Sequence, residues 1–360
     1  MHKLQLTLTV SFIVGVSACG MAADFTSGNL AVLRADASVS NTTGAILEIG
    51  KTAGSIIQTI PIDSTTAAAL RFSGSASGTG YLSTTNDGRL LSFAGINTTN
   101  GAGNATSFLA RGVGTVNFNA QYNLATTYSG ISGNQARSAS SLDNTAFYIS
   151  DQGGLYTNNA TTPSPSGNFR NVRTFAGTVY GSTTSSTTSQ VGTFSATTQG
   201  TYTPLPGLSS NQDLQDFYLI RSGSNGSTFD ILYITSALSN TSGRIAKFSL
   251  VGGNWISNGT ANTTFGGFGL AVEDNGIAPG ANLYLTTGDG GLANNTVQAL
   301  TDINGFNAVL DLTAATTIFS APTGTVLKGI EFVPVPEPFA LSFLSISSVL
   351  LIFRRKLTGI

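Results

Sequence analysis

The pattern of short apolar runs between residues 24 and about 332 constrains the fold more than any other feature. Runs of about four to eight β-branched, aromatic and aliphatic residues are bounded by Gly, Asn, Asp and Ser, with almost no helical period. The sequence therefore predicts a nearly all-β domain. The clearest predicted strands cover residues 29–34, 45–49, 56–60, 89–94, 114–118, 147–150, 216–220, 231–235, 245–250, 283–287 and 329–333.

A loose repeat predicts how these strands are arranged. An aromatic, an aliphatic and a hydroxyl residue precede a Gly-containing turn in Tyr81-Leu82-Ser83, Tyr148-Ile149-Ser150, Tyr233-Ile234-Thr235 and Tyr284-Leu285-Thr286. The last two motifs lie about 50 residues apart, which is compatible with one four-stranded propeller blade. We therefore predict an all-β fold, a β-propeller of six or seven blades, with a β-solenoid or a large β-sandwich as the alternative.

Turn residues and strand spacing also predict one hairpin, the closure of the ring and the strands of two blades. Asp87-Gly88 supplies the positive-φ positions of a tight hairpin between residues 80–83 and the strand that begins at residue 89. The strand at 329–333 would close the ring against the strand at 29–34 and remove two free edges. Two blades can be outlined in the second half, one from 216–220, 231–235, 245–250 and Trp255, the other from 268–272, 283–287, 297–300 and 317–319.

The N-terminus has the order of a secretory signal peptide. Lys3 is followed by an apolar run over residues 4–16 and by small residues up to Ala23. Cleavage after Ala22 or Ala23 would place small side chains beside the scissile bond and start the mature chain near residue 24. Residues 16–20 also look like the lipobox of bacterial lipoproteins, so lipidation of Cys19 is the alternative.

The C-terminus carries a second targeting pattern. It consists of Pro336, Glu337 and Pro338, an uncharged run over residues 339–353, and the basic residues Arg354, Arg355 and Lys356. A helix over this run would reach roughly 22 Å, short of a hydrocarbon core of about 30 Å, so it is a marginal membrane span. Basic residues favour the cytoplasmic side, which would hold the tail inside and leave the bulk of the chain outside.

This constellation resembles the PEP-CTERM sorting signal of Gram-negative bacteria. The resemblance implies cleavage near the Pro-Glu-Pro element by a membrane-embedded exosortase, after which the protein is released or transferred to the surface, often alongside exopolysaccharide. The implied partners are the Sec export machinery and an exosortase-like protease, and extracellular polysaccharide is a possible ligand. The predicted organisation is a signal peptide over 1–23, a propeller-like domain over 24–333 and a sorting signal over 334–360.

Composition excludes several classes of activity. His2 and Cys19 are the only histidine and cysteine, and both precede the predicted cleavage site. A mature chain without them cannot form a Ser/His/Asp triad, a Cys/His dyad, a disulfide or the usual zinc sites. Only 9% of residues are charged and the formal net charge is -1, so no basic surface for nucleic acid is expected.

Three Gly-rich turns and a set of carboxylates are the remaining candidates for chemistry. The turns at 150–154, 273–276 and 287–291 place carboxylates beside glycines, but none has the full acidic loop of a calcium site. We therefore expect no cofactor, with calcium as the alternative. A glycosidase would need two converging carboxylates. The candidates are Glu48, Glu273, Glu331, Asp213 and Asp216, and their spacing does not show that any pair converges.

The order of elements also resembles a family of exported bacterial proteins in which a propeller-like domain precedes the same sorting tail. The matching segments are 28–34, 86–90, 216–218, 231–233, 245–253 and 328–332. The expected function is that of an exported surface or extracellular-matrix protein, transiently anchored in the inner membrane. It would be a non-enzymatic structural or binding component of the exopolysaccharide layer, with the aromatic residues offering platforms for sugars. The alternatives are a propeller glycan hydrolase and a surface lipoprotein.

Overall fold

The computed structural model describes residues 23–52, 54–184, 189–195, 200–209, 214–276 and 279–336. Within these residues one 3-10 turn, Ala105–Ser107, accompanies 23 strands. The strands are β1 Leu30–Ala35, β2 Gly44–Ile49, β3 Ile56–Pro61, β4 Ser83–Thr84, β5 Leu90–Ile96, β6 Ala110–Asn117, β7 Tyr122–Ser129, β8 Ala136–Ser141, β9 Phe147–Asp151, β10 Gly154–Tyr156, β11 Phe169–Phe175, β12 Thr178–Thr183, β13 Val191–Phe194, β14 Tyr202–Pro204, β15 Asp216–Ile220, β16 Ile231–Ser239, β17 Ser242–Val251, β18 Asn254–Thr263, β19 Gly267–Asp274, β20 Ala281–Thr287, β21 Thr296–Asp302, β22 Thr316–Ser320 and β23 Val326–Phe332.

The strands form six antiparallel sheets, which are the blades of a β-propeller. From the axis outwards, blade 1 contains β23-β1-β2-β3, blade 2 β4-β5-β6-β7, blade 3 β8-β9-β10, blade 4 β11-β12-β13-β14, blade 5 β15-β16-β17-β18 and blade 6 β19-β20-β21-β22. The innermost strands contact one another around the axis. The prediction of a propeller with six or seven blades is therefore confirmed at six in the described part of the chain, and the solenoid and sandwich alternatives are wrong.

The first and last strands close the ring. β1 pairs with β23 in antiparallel register, with Leu30 opposite Phe332, Val32 opposite Ile330 and Arg34 opposite Leu327. The closure confirms the pairing predicted from residues 29–34 and 329–333. Because the two ends of the domain share one sheet, neither β1 nor β23 is left unpaired, and the remaining edge of β23 faces the propeller axis.

Hydroxyl residues of the repeat link three of the blades to the blade that follows. Ser150, Thr235 and Thr286 lie on the second strands of blades 3, 5 and 6. Their hydroxyls donate to carbonyl oxygens on the innermost strand of the following blade, at 3.1, 3.4 and 2.6 Å. Ser92 makes the same bond from blade 2 to blade 3, at 2.6 Å. The repeat therefore reflects a recurring position at the joint between blades, where a buried carbonyl needs a donor.

The structure also corrects parts of the prediction. Tyr81 precedes the innermost strand of blade 2, so it is not equivalent to Tyr148, Tyr233 and Tyr284 on second strands. Blade 3 has three strands rather than four. The strand predicted at 114–118 begins earlier, at residue 110, because its small and charged residues pair along the whole length of β5. Both blades outlined in the second half, and the Asp87-Gly88 hairpin, are confirmed.

Apolar side chains fill the spaces between neighbouring blades. One core cluster joins blades 1, 5 and 6 and includes Leu47, Tyr233 and Leu285. Close packing at the axis requires Gly329 on β23, because a Cβ there would lie 2.2 Å from the backbone nitrogen of Leu82. The innermost strands of blades 1 and 2 therefore approach each other more closely than residues with side chains allow.

Candidate functional site

Arg173 crosses the propeller axis and connects four blades. It lies on the innermost strand of blade 4, and its guanidinium forms ion pairs with Asp216 of blade 5, at 3.0 Å, and with Glu331 of blade 1 on the opposite side of the ring. It also donates to the backbone oxygen of Leu270 in blade 6, at 2.9 Å. We call Arg173, Asp216, Glu331 and Tyr218 the axial network. Tyr218 belongs to it because its hydroxyl donates to Glu331 at 2.9 Å.

Burial sets the protonation behaviour of the axial network. It is the largest influence on the pKa values of Asp216 and Glu331 and raises both, although Arg173 opposes the shift. Burial acts to lower the pKa of Arg173, but the two carboxylates outweigh it and raise that pKa above its ordinary value. Burial also raises the pKa of Tyr218, so its hydroxyl stays protonated and donates. The network therefore sets one guanidinium between two buried carboxyl groups, and each of these groups has its hydrogen-bond partners inside the protein.

A segment between β3 and β4 closes the axis at the end where the innermost strands begin. The Tyr81 ring stacks on Phe268, with centroids 4.7 Å apart, and its hydroxyl accepts a hydrogen bond from Gln215 at 2.8 Å. The buried Lys328 ammonium donates to the backbone oxygens of Ala76, at 2.7 Å, and Gly290. A ligand that entered at this end would have to break the hydrogen bonds that hold this backbone segment in place.

The opposite end of the axis is open and forms a cavity of about 680 Å³. It lies where the innermost strands end, and we call it the central cavity. Its lining comes from five blades and covers residues 84–88, 174–176, 218–221, 229, 272–274 and 332. Concave sites of this size, lined by aromatic groups with a few polar groups, are typical of ligand-binding sites.

A row of aromatic rings runs along the central cavity. The rings of Phe229 and Phe175 are 5.1 Å apart, those of Phe175 and Tyr218 5.4 Å, and those of Tyr218 and Phe332 6.4 Å, measured between centroids. The three phenylalanines are half-buried, so part of each ring is open to the cavity. The last ring also contacts Tyr284, 6.1 Å away. We call these five residues the aromatic row.

Charged residues mark the edge of the central cavity, and two of its three carboxylates are paired. Lys51 binds Glu273 at 2.5 Å, and Tyr284 donates to the same carboxylate at 2.9 Å. Asp87 pairs with Arg89 at 3.3 Å. Partial burial acts to raise the pKa of Asp87, but hydrogen bonds from the Arg89 N–H and from neighbouring side chains outweigh it, and the pKa lies below its usual value. Asp87 therefore stays ionised at neutral pH.

A second cavity, of about 370 Å³, lies between blades 5 and 6. Its lining covers residues 220–222, 224, 231, 274, 276, 279–280 and 305–306. Ile220, Arg221 and Asp274 line both cavities, which are therefore neighbours. The guanidinium of Arg221 lies over the ring of Phe229, 4.3 Å from its centroid, where the two cavities meet.

The candidate carboxylates predicted from the sequence lie in different environments. Asp216 and Glu331 come together at Arg173, but both are fully buried, so no sugar reaches them. Glu273 lines the central cavity. Glu48 is buried in blade 1, where it accepts hydrogen bonds from residues 26, 29 and 58. Asp213 lies outside the described residues.

The Gly-rich turns use their carboxylates as local hydrogen-bond acceptors. Asp151, Asp274 and Asp289 each accept from the backbone N–H two residues further on, at 2.9, 3.0 and 3.0 Å. Asp151 also binds Arg111 and the hydroxyl of Tyr128 between blades 2 and 3. Across the part of the chain that the structure describes, no group of three or more His, Cys, Asp or Glu side chains is placed to hold a metal ion.

The predicted targeting residues fall at the limits of the described chain. Ala23 and Pro336 are described and exposed. Between them, and across the described ranges as a whole, no helix has the length and apolar character needed to span a membrane. Cys19, Ala22, Glu337, Pro338, Arg354, Arg355 and Lys356 lie outside the described residues.

Of the residues that line the central cavity, Glu273 was proposed from the sequence as a catalytic candidate, but Arg221 and the aromatic rings were missed. Arg173, Arg221 and the rings of Phe175, Phe229 and Phe332 were not among the candidates, because no motif marks them. One signal was available. Arg173 is, with Arg170, one of two arginines in a short strand that also carries two phenylalanines and a valine, and an arginine is almost never buried without partners.

Comparisons with known proteins add no function. No protein-family model matches the sequence, and no curated protein is detectably similar to it. Among solved structures, the chain is similar to a Bacteroides uniformis protein named a "putative 6-phosphogluconolactonase", with 13% identity, 80% and 82% of the two chains covered and a TM-score of 0.44. It is similar to a chain of the nidogen/laminin complex, with 13% identity, 84% and 97% coverage and a TM-score of 0.43. A Bacteroides caccae protein of unknown function gives 9% identity, 87% and 100% coverage and a TM-score of 0.43.

Proposed function

We propose that this chain is an exported, non-enzymatic propeller that binds extracellular polysaccharide in its central cavity. The aromatic row carries the proposal. Its three phenylalanines are half-buried and line a cavity whose edge carries amide, carboxylate and guanidinium groups. Ring faces pack against the apolar faces of sugars, while polar groups at the edge bind hydroxyls, which is the general design of a small-molecule site.

Export and sorting complete the proposal. The signal-peptide pattern would send the chain through the Sec machinery, and the Pro-Glu-Pro element, uncharged run and basic tail would deliver it to an exosortase-like protease. A protein placed this way would meet polysaccharide at the cell surface. Intact mass of the protein recovered from the surface fraction tests the route. We expect a start after Ala22 or Ala23 and an end near Pro336, whereas an acylated start at Cys19 would support the lipoprotein alternative.

The cavity edge favours binding over hydrolysis. A glycosidase needs one protonated and one ionised carboxyl group on either side of the bond to be cut. Glu273 is bound by Lys51 and Tyr284, and hydrogen bonds keep the pKa of Asp87 below its usual value. Because Glu273 nevertheless lines the cavity, a glycan hydrolase remains the second candidate.

A glycan pull-down with purified protein, followed by analysis of the bound chains for cleavage, separates the two functions. Binding without product is the expected result. Phe332→Ala should weaken binding about tenfold, since removing one ring from such a surface costs on the order of 1.4 kcal/mol. Phe118→Ala is the matched control, because Phe118 is half-buried but lies outside the cavity. Product that disappears in Glu273→Gln would establish the hydrolase instead.

A further inference from the structure

The two cavities together offer an extended surface for a chain-like ligand. The central cavity and the cavity between blades 5 and 6 share Ile220, Arg221 and Asp274. A polymer held on the aromatic row can therefore continue past Phe229 into the second cavity. Arg221 lies at the passage between them, so any chain that occupies both cavities passes its guanidinium.

Arg221 differs from the other cations of this face. Lys51 is bound to Glu273 and Arg89 to Asp87, at 2.5 and 3.3 Å. Arg221 is exposed and, within the described chain, forms no ion pair with a carboxylate. Its guanidinium is held over the Phe229 ring instead, which leaves its N–H groups available to a ligand.

The neighbouring carboxylate, Asp274, forms no ion pair with this cation. Asp274 lines both cavities but accepts a hydrogen bond from the backbone N–H of Gly276, at 3.0 Å, and forms no ion pair with Arg221. The passage therefore presents a guanidinium with free donors. A planar guanidinium binds a carboxylate through two parallel hydrogen bonds, a geometry that neutral hydroxyl groups do not reproduce.

We propose that the ligand is an acidic polysaccharide and that Arg221 binds a carboxylate on one of its sugar units. The inference rests on the proposed function of the central cavity and narrows its ligand class. The aromatic row would hold the sugar faces, and Arg221 would select chains that carry uronate groups. Attraction between exposed charges is screened by salt, so the preference for acidic chains should fall as ionic strength rises.

Affinity electrophoresis with pairs of polymers tests this inference. The probes are polygalacturonate, alginate and hyaluronate, each beside its carboxyl-reduced form, which keeps the sugar rings and removes the charge. We expect the purified protein to bind at least one uronate polymer about tenfold more tightly than its reduced form. Arg221→Gln should bring both forms to the same affinity, and Arg221→Lys should restore part of the difference.

Arg244→Gln is the matched control, because Arg244 is also exposed on blade 5 but lines neither cavity. It removes the same charge and should leave the preference unchanged. Equal binding of acidic and reduced forms by the unmodified protein would overturn the inference, and so would an equal effect of Arg221→Gln and Arg244→Gln. If no polymer of either kind binds, the proposed function itself fails, which is a different result from binding without preference.

Discussion

Replacing Arg173 with Met should destabilise the propeller more than any surface change. The substitution keeps a long side chain but leaves the carboxylates of Asp216 and Glu331 buried without their cation, since both side chains are 1% exposed. Removing one partner of a buried ion pair costs about 3–5 kcal/mol, because an unpaired charge is left in a medium of low dielectric. Domains of this kind have unfolding free energies of about 5–15 kcal/mol, so the loss is a large share of the total.

Protonation of the two buried carboxyl groups should make the loss of stability in Arg173→Met smaller at low pH. Burial already raises the pKa values of Asp216 and Glu331, and without Arg173 nothing at the axis opposes that shift as strongly. A carboxyl group whose pKa is raised in the folded state stabilises the fold below its unfolded pKa of about 4, and that stability is lost as pH rises through the folded value. The difference between Arg173→Met and the unmodified protein should therefore be smaller at pH 5 than at pH 7.

Equilibrium unfolding in urea measures both effects, with fluorescence of the buried Trp255 as the signal. Arg89→Met is the matched control. It removes an ion pair whose side chains are 36% and 37% exposed, and such pairs contribute about 0–1 kcal/mol. The reasoning is refuted if Arg173→Met lowers the unfolding free energy at pH 7 by no more than Arg89→Met does, or if its effect is the same at pH 5 and pH 7.

Three further changes test the packing and the charges around the axis. Burial lowers the pKa of Lys328 from 10.5 to about 7, so the unfolding free energy should rise between those pH values, and Lys328→Met should flatten the rise in urea titrations at several pH values. Thr286→Val leaves the Gly269 N–H and a carbonyl of β23 without partners and should cost about 1–3 kcal/mol per group, measured by urea unfolding against Thr286→Ser. Gly329→Ala places a Cβ against the Leu82 backbone and should lower the thermal midpoint sharply; an unchanged midpoint would contradict the close approach.

Local patterns were enough to predict the strands of blades 5 and 6. The strands of blades 5 and 6 are rich in β-branched and aromatic residues and are separated by turns of Gly and Asn, so each can be recognised from its own few residues. The Asp87-Gly88 hairpin follows from backbone chemistry, because Gly88 has a φ of 73°. The repeated hydroxyl at Ser150, Thr235 and Thr286 was visible as a pattern, although its bond to the next blade appears only in the folded ring.

The candidate site is built from residues that are far apart in the sequence, so local sequence patterns could not predict it. Arg173 and Glu331 are 158 positions apart and meet only because their blades lie opposite each other around the axis. The aromatic row is likewise assembled from blades 1, 4, 5 and 6. Glu331 and Asp216 were two of the five candidate carboxylates for a glycosidase, yet both are buried in the ring, where they bind Arg173. The fold therefore brings these two carboxylates together, but it buries them where no substrate can reach them.

Tyr218 belongs to both the axial network and the aromatic row, but mutations of the two arginines, Arg173 and Arg221, should have separate effects. Arg173 is buried and its guanidinium is paired with Asp216 and Glu331, so it is not available to a ligand. Arg221 has no ion-pair partner in the described chain but is exposed, and exposed cations contribute little to folding. We therefore expect Arg173→Met to lower stability while preserving the preference for uronate chains, measured at a temperature where the variant is folded. Arg221→Gln should abolish that preference and leave the unfolding free energy within about 0.5 kcal/mol of the unmodified protein. A common loss of both properties in either variant would mean that the axis and the cavity edge act as one unit, and the separation of roles would be wrong.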